Sequence, residues 1–359
     1  MFSTPASPDW EAFIACLRRK GTPRRVHHIE LFLDQELQDD IVDRFELARG
    51  IGAGDPFRLQ KVSVALQRFL GYDYVTSDLD GFKWTVTEHE VADTAERART
   101  GGRAFVDLKK GPITTWEEFE RYPWPDPDAA PTRSLEWYQA NLPDDMCLIG
   151  GLTSHYGELL SWLMGYETLC YSLVDQRDLV EAIAKKVDEI TVRQARRFLQ
   201  FDRVKAVWGS DDMGFRTGLL LSPRDTRDLV LTGHARIAAL THEAGRLYLL
   251  HSCGNLADIQ ADLIDTVRID GKHSWEDAIL PVTDAKGTWG SRVALLGGID
   301  VDFLCRSSEQ EIRARVRRTA EICMPGGGWC LGTGNTPANY VPMENYLAMI
   351  DEGRRFHAG

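Results

Sequence analysis

One imidazole and two thiols stand out in this chain. His251 and Cys253 are two residues apart in His251-Ser252-Cys253-Gly254-Asn255, and Cys330 lies far downstream in Gly328-Trp329-Cys330-Leu331-Gly332. A histidine with two cysteines is a common donor set for zinc, and three protein ligands leave a fourth coordination position free for chemistry. The apolar run before His251 predicts a buried strand, and residues i and i+2 of a strand share a face, so His251 and Cys253 can point at one ion. The competing reading is plain packing: buried cysteines often behave as small hydrophobes, and a histidine at a strand end can bond to a backbone carbonyl. Gly254 and the run from Gly326 to Gly334 suit tight turns where backbone closely approaches a ligand, and they favour a catalytic metal site.

Positioning such ligands requires a scaffold, and short apolar runs alternating with amphipathic stretches predict a parallel sheet with crossover helices. Strands are expected at 26–32, 72–75, 146–152, 204–209, 247–251, 267–270, 293–298 and 328–332, which suggests a single (β/α)₈ barrel of α/β class over residues 1–359. Catalytic groups in such barrels gather at the C-terminal strand ends. Ser222-Pro223-Arg224-Asp225 reads as a helix start, with Ser222 as N-cap and the helix running to Glu243 before Gly245; a second helix is expected over 178–198. Residues 76–145 are too long for a simple crossover. They carry an extended pair near Trp84 and Phe105, a short helix over 115–121 and a proline-rich linker, and are expected to form a lid or substrate-recognition insertion after strand two.

The formal net charge of -12 argues against a nucleic-acid surface. No apolar run approaches the length of a membrane span and the first residues do not resemble a signal peptide, so a cytoplasmic protein is expected. Seven scattered cysteines do not form a disulfide framework.

Several further residues sit where a barrel mouth would place them. Glu30, near the end of strand one and beside strand eight, either completes a zinc tetrahedron or forms a salt bridge at the rim. Asp211 and Asp212 after strand four either move a proton and orient substrate or fix their own loop through its amides. His273 and Glu276 follow strand six as acid, base or support for the metal ligands. Trp84, His155 and Tyr156 can line a pocket for an aromatic ring, although most aromatics of the insertion are as simply explained by packing. Asn255 and Asn335 flank the metal segments as substrate contacts or as turn formers.

The His251-x-Cys253 pair, the distant Cys330 and the closing segment from Gly332 to Pro337 resemble the uroporphyrinogen decarboxylase superfamily, and more closely its zinc-dependent corrinoid methyltransferases. Gly209-Ser210-Asp211-Asp212-Met213-Gly214, Ser222-Pro223, Leu296-Gly297-Gly298-Ile299-Asp300 and the stretch from Trp116 to Pro125 agree with this. The resemblance implies a (β/α)₈ barrel with zinc on His251, Cys253 and Cys330. It also implies methyl transfer between a small methylated substrate, a methoxylated aromatic in the favoured reading, and the cobalt of a corrinoid. Methylcorrinoid-to-thiol transfer of the coenzyme M type and metal-free decarboxylation are the alternatives. True uroporphyrinogen decarboxylases carry an arginine-rich Met-Arg-Gln-Ala-Gly-Arg segment after strand one, whereas this chain reads His27-His28-Ile29-Glu30-Leu31-Phe32-Leu33-Asp34 there, which counts against a porphyrinogen substrate. No corrinoid-binding segment of the Asp-x-His-x-x-Gly type is present, so a separate corrinoid protein is the expected partner.

Overall fold

A computed structural model describes residues 2–93, 103–107 and 109–356. Seven parallel strands follow one another in chain order across a single sheet: Tyr74–Ser77, Cys147–Thr153, Val204–Ser210, Leu247–His251, Gly271–His273, Ala294–Leu296 and Trp329–Cys330. Helices occupy most connections, the longest being Arg177–Phe198, which buries one apolar stripe and exposes its charged face. Among the described residues, no helix is long and apolar enough to cross a membrane.

The expected first strand contributes one parallel bridge, His28 to Leu331. Ile29 N–H donates to the Leu331 carbonyl at 2.8 Å and Leu331 N–H to the His27 carbonyl at 2.8 Å, tying this segment to the last strand. On its other side a side chain replaces a strand ladder. The Tyr74 hydroxyl accepts from Glu30 N–H at 3.0 Å and donates to the Glu30 carbonyl at 2.9 Å, satisfying two backbone groups that would otherwise be buried without partners. The seven strands thus form an arc whose two ends meet the same N-terminal segment, in keeping with the (β/α)₈ plan.

The sixth strand is displaced from its expected position at 267–270. Leu263–Val267 continues the preceding helix as a wide turn, Arg268 takes a left-handed φ of 66°, and the strand begins at Gly271. Ser222 caps its helix as expected, accepting from Asp225 N–H at 3.0 Å with Pro223 in the first turn, and the segment winds on to Glu243 through a wide turn over Thr226–Leu231.

Within 76–145 an antiparallel hairpin pairs Glu88–Val91 with Arg103–Val106, and the helices Trp116–Arg121 and Arg133–Asn141 follow; 94–102 and Leu108 lie outside the described residues. Trp84 meets Phe82 and Trp124 edge-on at 6.5 and 6.3 Å, and Tyr122 packs on Trp124 at 4.7 Å, so these rings form the segment's own core. Asn339, in the loop after the last strand, donates to Asp93 at 2.8 Å and ties the hairpin to that loop.

At the opposite end, the helix Trp10–Leu17 is capped by Asp9, which accepts from Ala12 N–H at 3.0 Å, and buries Phe13, Cys16 and Leu17. Phe13 stacks on Tyr74 at 5.6 Å.

Candidate metal centre

Strand pairing sets the level of the site. Ser210 is opposite His251 and His251 opposite His273, so three adjacent strands end in one layer. The segments beyond are stitched together: Asp211 N–H donates to the His251 carbonyl at 3.0 Å, Ser252 N–H to the His273 carbonyl at 2.6 Å and Met213 N–H to the Ser252 hydroxyl at 3.1 Å. Gly254 then turns with a φ of 84°, its α-carbon so close to Gly214 that a Cβ would lie 2.2 Å from the Gly214 carbonyl oxygen. Only glycine fits that crossing.

This framework gathers Asp212, His251 and Cys253, whose potential ligand atoms all lie within 4.8 Å of one another. His251 is buried and Cys253 half-buried, while the Asp212 side chain keeps 40% of its exposure, so the cluster opens to solvent at the strand ends. His251 Nε2 is 3.2 Å from Asp212 Oδ1, close to the roughly 3.3 Å edge of a tetrahedron with zinc bonds near 2.0 Å.

The tautomer of His251 follows from its neighbour. His273 is fully buried, which pushes it well below the ordinary histidine range, with the nearby His251 and Lys272 acting the same way. It is therefore neutral. Its Nε2 lies 3.2 Å from the Thr333 carbonyl, which can only accept, so Nε2 carries the proton and Nδ1 is an acceptor. His251 Nδ1, 2.7 Å from His273 Nδ1, must then donate. This leaves His251 Nε2 facing the Asp212 carboxylate at 3.2 Å, with either its own proton or a metal cation between them. The donor set of imidazole, carboxylate and thiol fits a divalent cation.

Asp212 is held well below the ordinary carboxylate range. Burial opposes this, but His251 beside it and hydrogen bonds from Cys253, including its N–H at 3.0 Å, outweigh the burial. Without a cation, burial and then the neighbouring Asp212 charge push the Cys253 thiol far up. A cation reverses that balance, because it makes the thiolate the favoured form.

Two expected ligands lie elsewhere. Cys330 is fully buried, and its thiol hydrogen-bonds to Cys16 of the N-terminal helix, while the Cys16 thiol contacts the Trp329 carbonyl at 3.4 Å. That hydrogen bond is the leading cause that brings Cys16 down to about 6, whereas burial raises Cys330. From this strand it is Thr333 that meets the site, its carbonyl 3.2 Å from His273 Nε2. Glu30 does reach the rim but spends its carboxyl on Thr333, at 2.7 Å from both the backbone N–H and the hydroxyl. Burial raises Glu30 to about 8, so at neutral pH it carries a proton for the Thr333 hydroxyl, which in turn donates to the Asn335 carbonyl.

Of the remaining expected residues, Asp211 is fully buried and accepts the N–H groups of Gly157 and Glu158 at 2.9 Å each, fixing the start of the helix Tyr156–Met164; its Oδ2 also meets His234 at 2.9 Å. It serves the loop reading rather than proton transfer. Tyr156 is buried, its hydroxyl on Asp188 at 3.2 Å and its ring against His234, so it packs rather than lines a pocket. His155 pairs with Glu158 at 2.9 Å, and Glu158 is raised, first by burial and also by the charges of Asp211 and Asp212. Asn255 and Asn335 form turns, accepting from Ala257 N–H at 3.1 Å and Thr336 N–H at 2.9 Å. Asn335 also donates to Glu276 at 3.4 Å.

The profile of the uroporphyrinogen decarboxylase (URO-D) family matches residues 105–356, which include the whole cluster. Among solved structures, a methyltransferase from Methanosarcina mazei is similar, with a TM-score of 0.67 at 18% identity over 97% of this chain and 98% of that one. No curated protein sequence matches. With most of its length under the family profile, the chain belongs to the uroporphyrinogen decarboxylase family.

Proposed function

We propose that this chain is a zinc-dependent methyltransferase that moves a methyl group between a small methylated substrate, favoured as a methoxylated aromatic, and the cobalt of a separate corrinoid protein. The observation that carries this reading is the convergence of Asp212, His251 and Cys253 at solvent-open strand ends. Asp212, His251 and Cys253 would hold the ion, and a carboxylate with a thiolate would cancel its charge. Bound zinc supplies Lewis acidity to an ether oxygen, or holds a substrate thiol as thiolate, at its remaining coordination position.

The chain's own residues orient and restrain. His273 fixes the His251 ring so that Nε2 faces the ion, and the Thr333 carbonyl fixes His273 in turn. Demethylation would break the methyl carbon–oxygen bond and leave its electron pair on the phenolate oxygen, with the methyl group passing to the reduced corrinoid of the partner protein. Glu158, mostly buried near Asp212 and raised first by burial, would be a candidate to return a proton to that oxygen once released from His155. Methyl transfer is also in keeping with the methyltransferase among the structural neighbours. Decarboxylation through Asp211 finds no support, since both its oxygens are taken by backbone N–H groups and His234.

Purified protein should hold about one zinc per chain, lost in His251→Ala and Cys253→Ala and kept in Cys330→Ala. Mixing the zinc protein with a reduced corrinoid protein and methoxylated aromatics should shift the visible spectrum to that of methylcobalt. Zinc in Cys253→Ala, or no spectral response to methoxylated aromatics or methylated thiols, refutes the proposal.

A further inference from the structure

Beside the metal loop lies a crevice of about 280 Å³ between the segment that follows Cys253 and the segment that follows His273. Its apolar walls are Leu256, Trp275, Ile279, Leu280 and Trp289. Two buried polar groups lie among them, a cation without a carboxylate partner and an amide nitrogen without a hydrogen bond. The Lys272 side chain is 3% exposed; its ammonium donates to the Ser274 carbonyl at 2.7 Å and the Ser252 carbonyl at 3.4 Å and lies 4.4 Å from the Trp275 ring centre. Among the described residues no carboxylate lies within ion-pair distance of it. Gln260, 6% exposed, has an amide nitrogen with no hydrogen-bond partner.

Buried charges are ordinarily paired, and buried amide donors ordinarily bonded. Here a cation without a carboxylate partner and an unpaired amide N–H₂ lie within the wall of one cavity whose other walls are aromatic and aliphatic. We propose that this crevice binds a small aromatic carboxylate, its ring against Trp275 and Trp289 and its acid group taken by Lys272 and Gln260. The crevice adjoins the proposed metal ligands without including them and does not depend on the methyl-transfer reading. Glu276, half-exposed at the crevice and bonded by Asn335, sets the polarity of the ligand: the acid turns away from it, toward Lys272. The volume is at the small end for ligand cavities, which suits a single ring.

Benzoate titrated into the protein and followed by tryptophan fluorescence and calorimetry tests this, with benzyl alcohol and benzylamine as probes of the same ring without the anion. Benzoate should bind at least about tenfold more tightly than either, as a charge-assisted contact in a buried site implies. Lys272→Met should weaken benzoate by more than about tenfold and Gln260→Leu by a few-fold, and Glu276→Gln should tighten it. Should Lys272→Met fail to fold, Gln260→Leu and the probe series decide. Equal affinity for benzoate and benzyl alcohol, or undiminished benzoate binding in Gln260→Leu, overturns the proposal. So does benzoate binding that disappears from chelator-treated protein, because the acid would then sit on the metal.

Discussion

The two ends of the strand arc hold the same chemical groups in opposite conditions. At the N-terminal end, Cys16, Cys330, His27 and Asp73 are buried: Asp73 meets His27 at 2.7 Å, Arg25 and the Asp9 N–H, the two thiols pair, and His27 Nε2 has no partner. At the C-terminal end, Asp212, His251 and Cys253 converge within 4.8 Å of one another and open to solvent through Asp212. Residue type does not separate a candidate metal centre from a structural knot. Convergence at a solvent-open face does.

Removing donors breaks this contrast most directly. Asp212→Asn, His251→Ala and Cys253→Ala should each weaken zinc by more than about 100-fold, beyond the effect of a supporting residue, and abolish methyl transfer. Cys330→Ala should keep both zinc and activity and lose only packing. Metal analysis and the cobalt assay on the same preparations read out the difference. Zinc loss from Cys330→Ala with the fold intact would reverse the assignment of the two ends.

Next in size is Asp73→Asn at the closed end. It leaves Arg25 and His27 without their buried carboxylate, which should cost about 3–5 kcal/mol of stability in denaturant unfolding. Asp73 is held below the ordinary carboxylate range: burial raises it, and the hydrogen bond and charge of His27 and then Arg25 overcome this. Its contribution is therefore present above the unfolded carboxylate range and lost as pH falls through the lower folded value. Zinc binding at the other end should be unchanged.

Glu30 has the opposite sign. Raised from 4.5 to about 8 by burial, it holds its proton in the folded state across that interval, so stability falls as pH rises from about 4.5 to 8. The full interval is worth on the order of 5 kcal/mol. Glu30→Gln should flatten the fall in a plot of melting temperature against pH. An unchanged slope would mean that Glu30 is charged, and would return it to the metal.

These contrasts also show what the residues alone convey. The strand run before His251, the Ser222-Pro223 cap and the i, i+2 pairing of His251 with Cys253 are local, and local patterns are visible in a sequence. Cys330 lies in its expected strand, but its pairing with Cys16 of the N-terminal helix is a tertiary fact, as is the bond from Gly328 N–H to the Cys16 carbonyl at 2.8 Å. Asp212 was legible as a polar residue at a strand end but not as a candidate metal donor. Its neighbour Asp211 has the same chemistry, and only the direction of each side chain separates a helix cap from a ligand. Lys272 and Gln260 carried no motif at all, since a crevice between two loops has no sequence period.

The smallest of these effects sharpens the comparison furthest, because it concerns a residue that touches no metal. His273→Gln keeps a side chain that can bond to the Thr333 carbonyl through its amide nitrogen while its amide oxygen accepts from His251 Nδ1. His273→Leu removes both interactions. Loss of such support typically costs 10–100-fold in metal affinity, so His273→Leu should weaken zinc by about that factor and His273→Gln by much less. A packing role alone would make the two variants similar in zinc affinity and different only in stability. The ratio of their zinc affinities, measured by competition with a chromophoric chelator, therefore reads the tautomer relay itself. A ratio near one would show that His251 is oriented by its strand and not by His273.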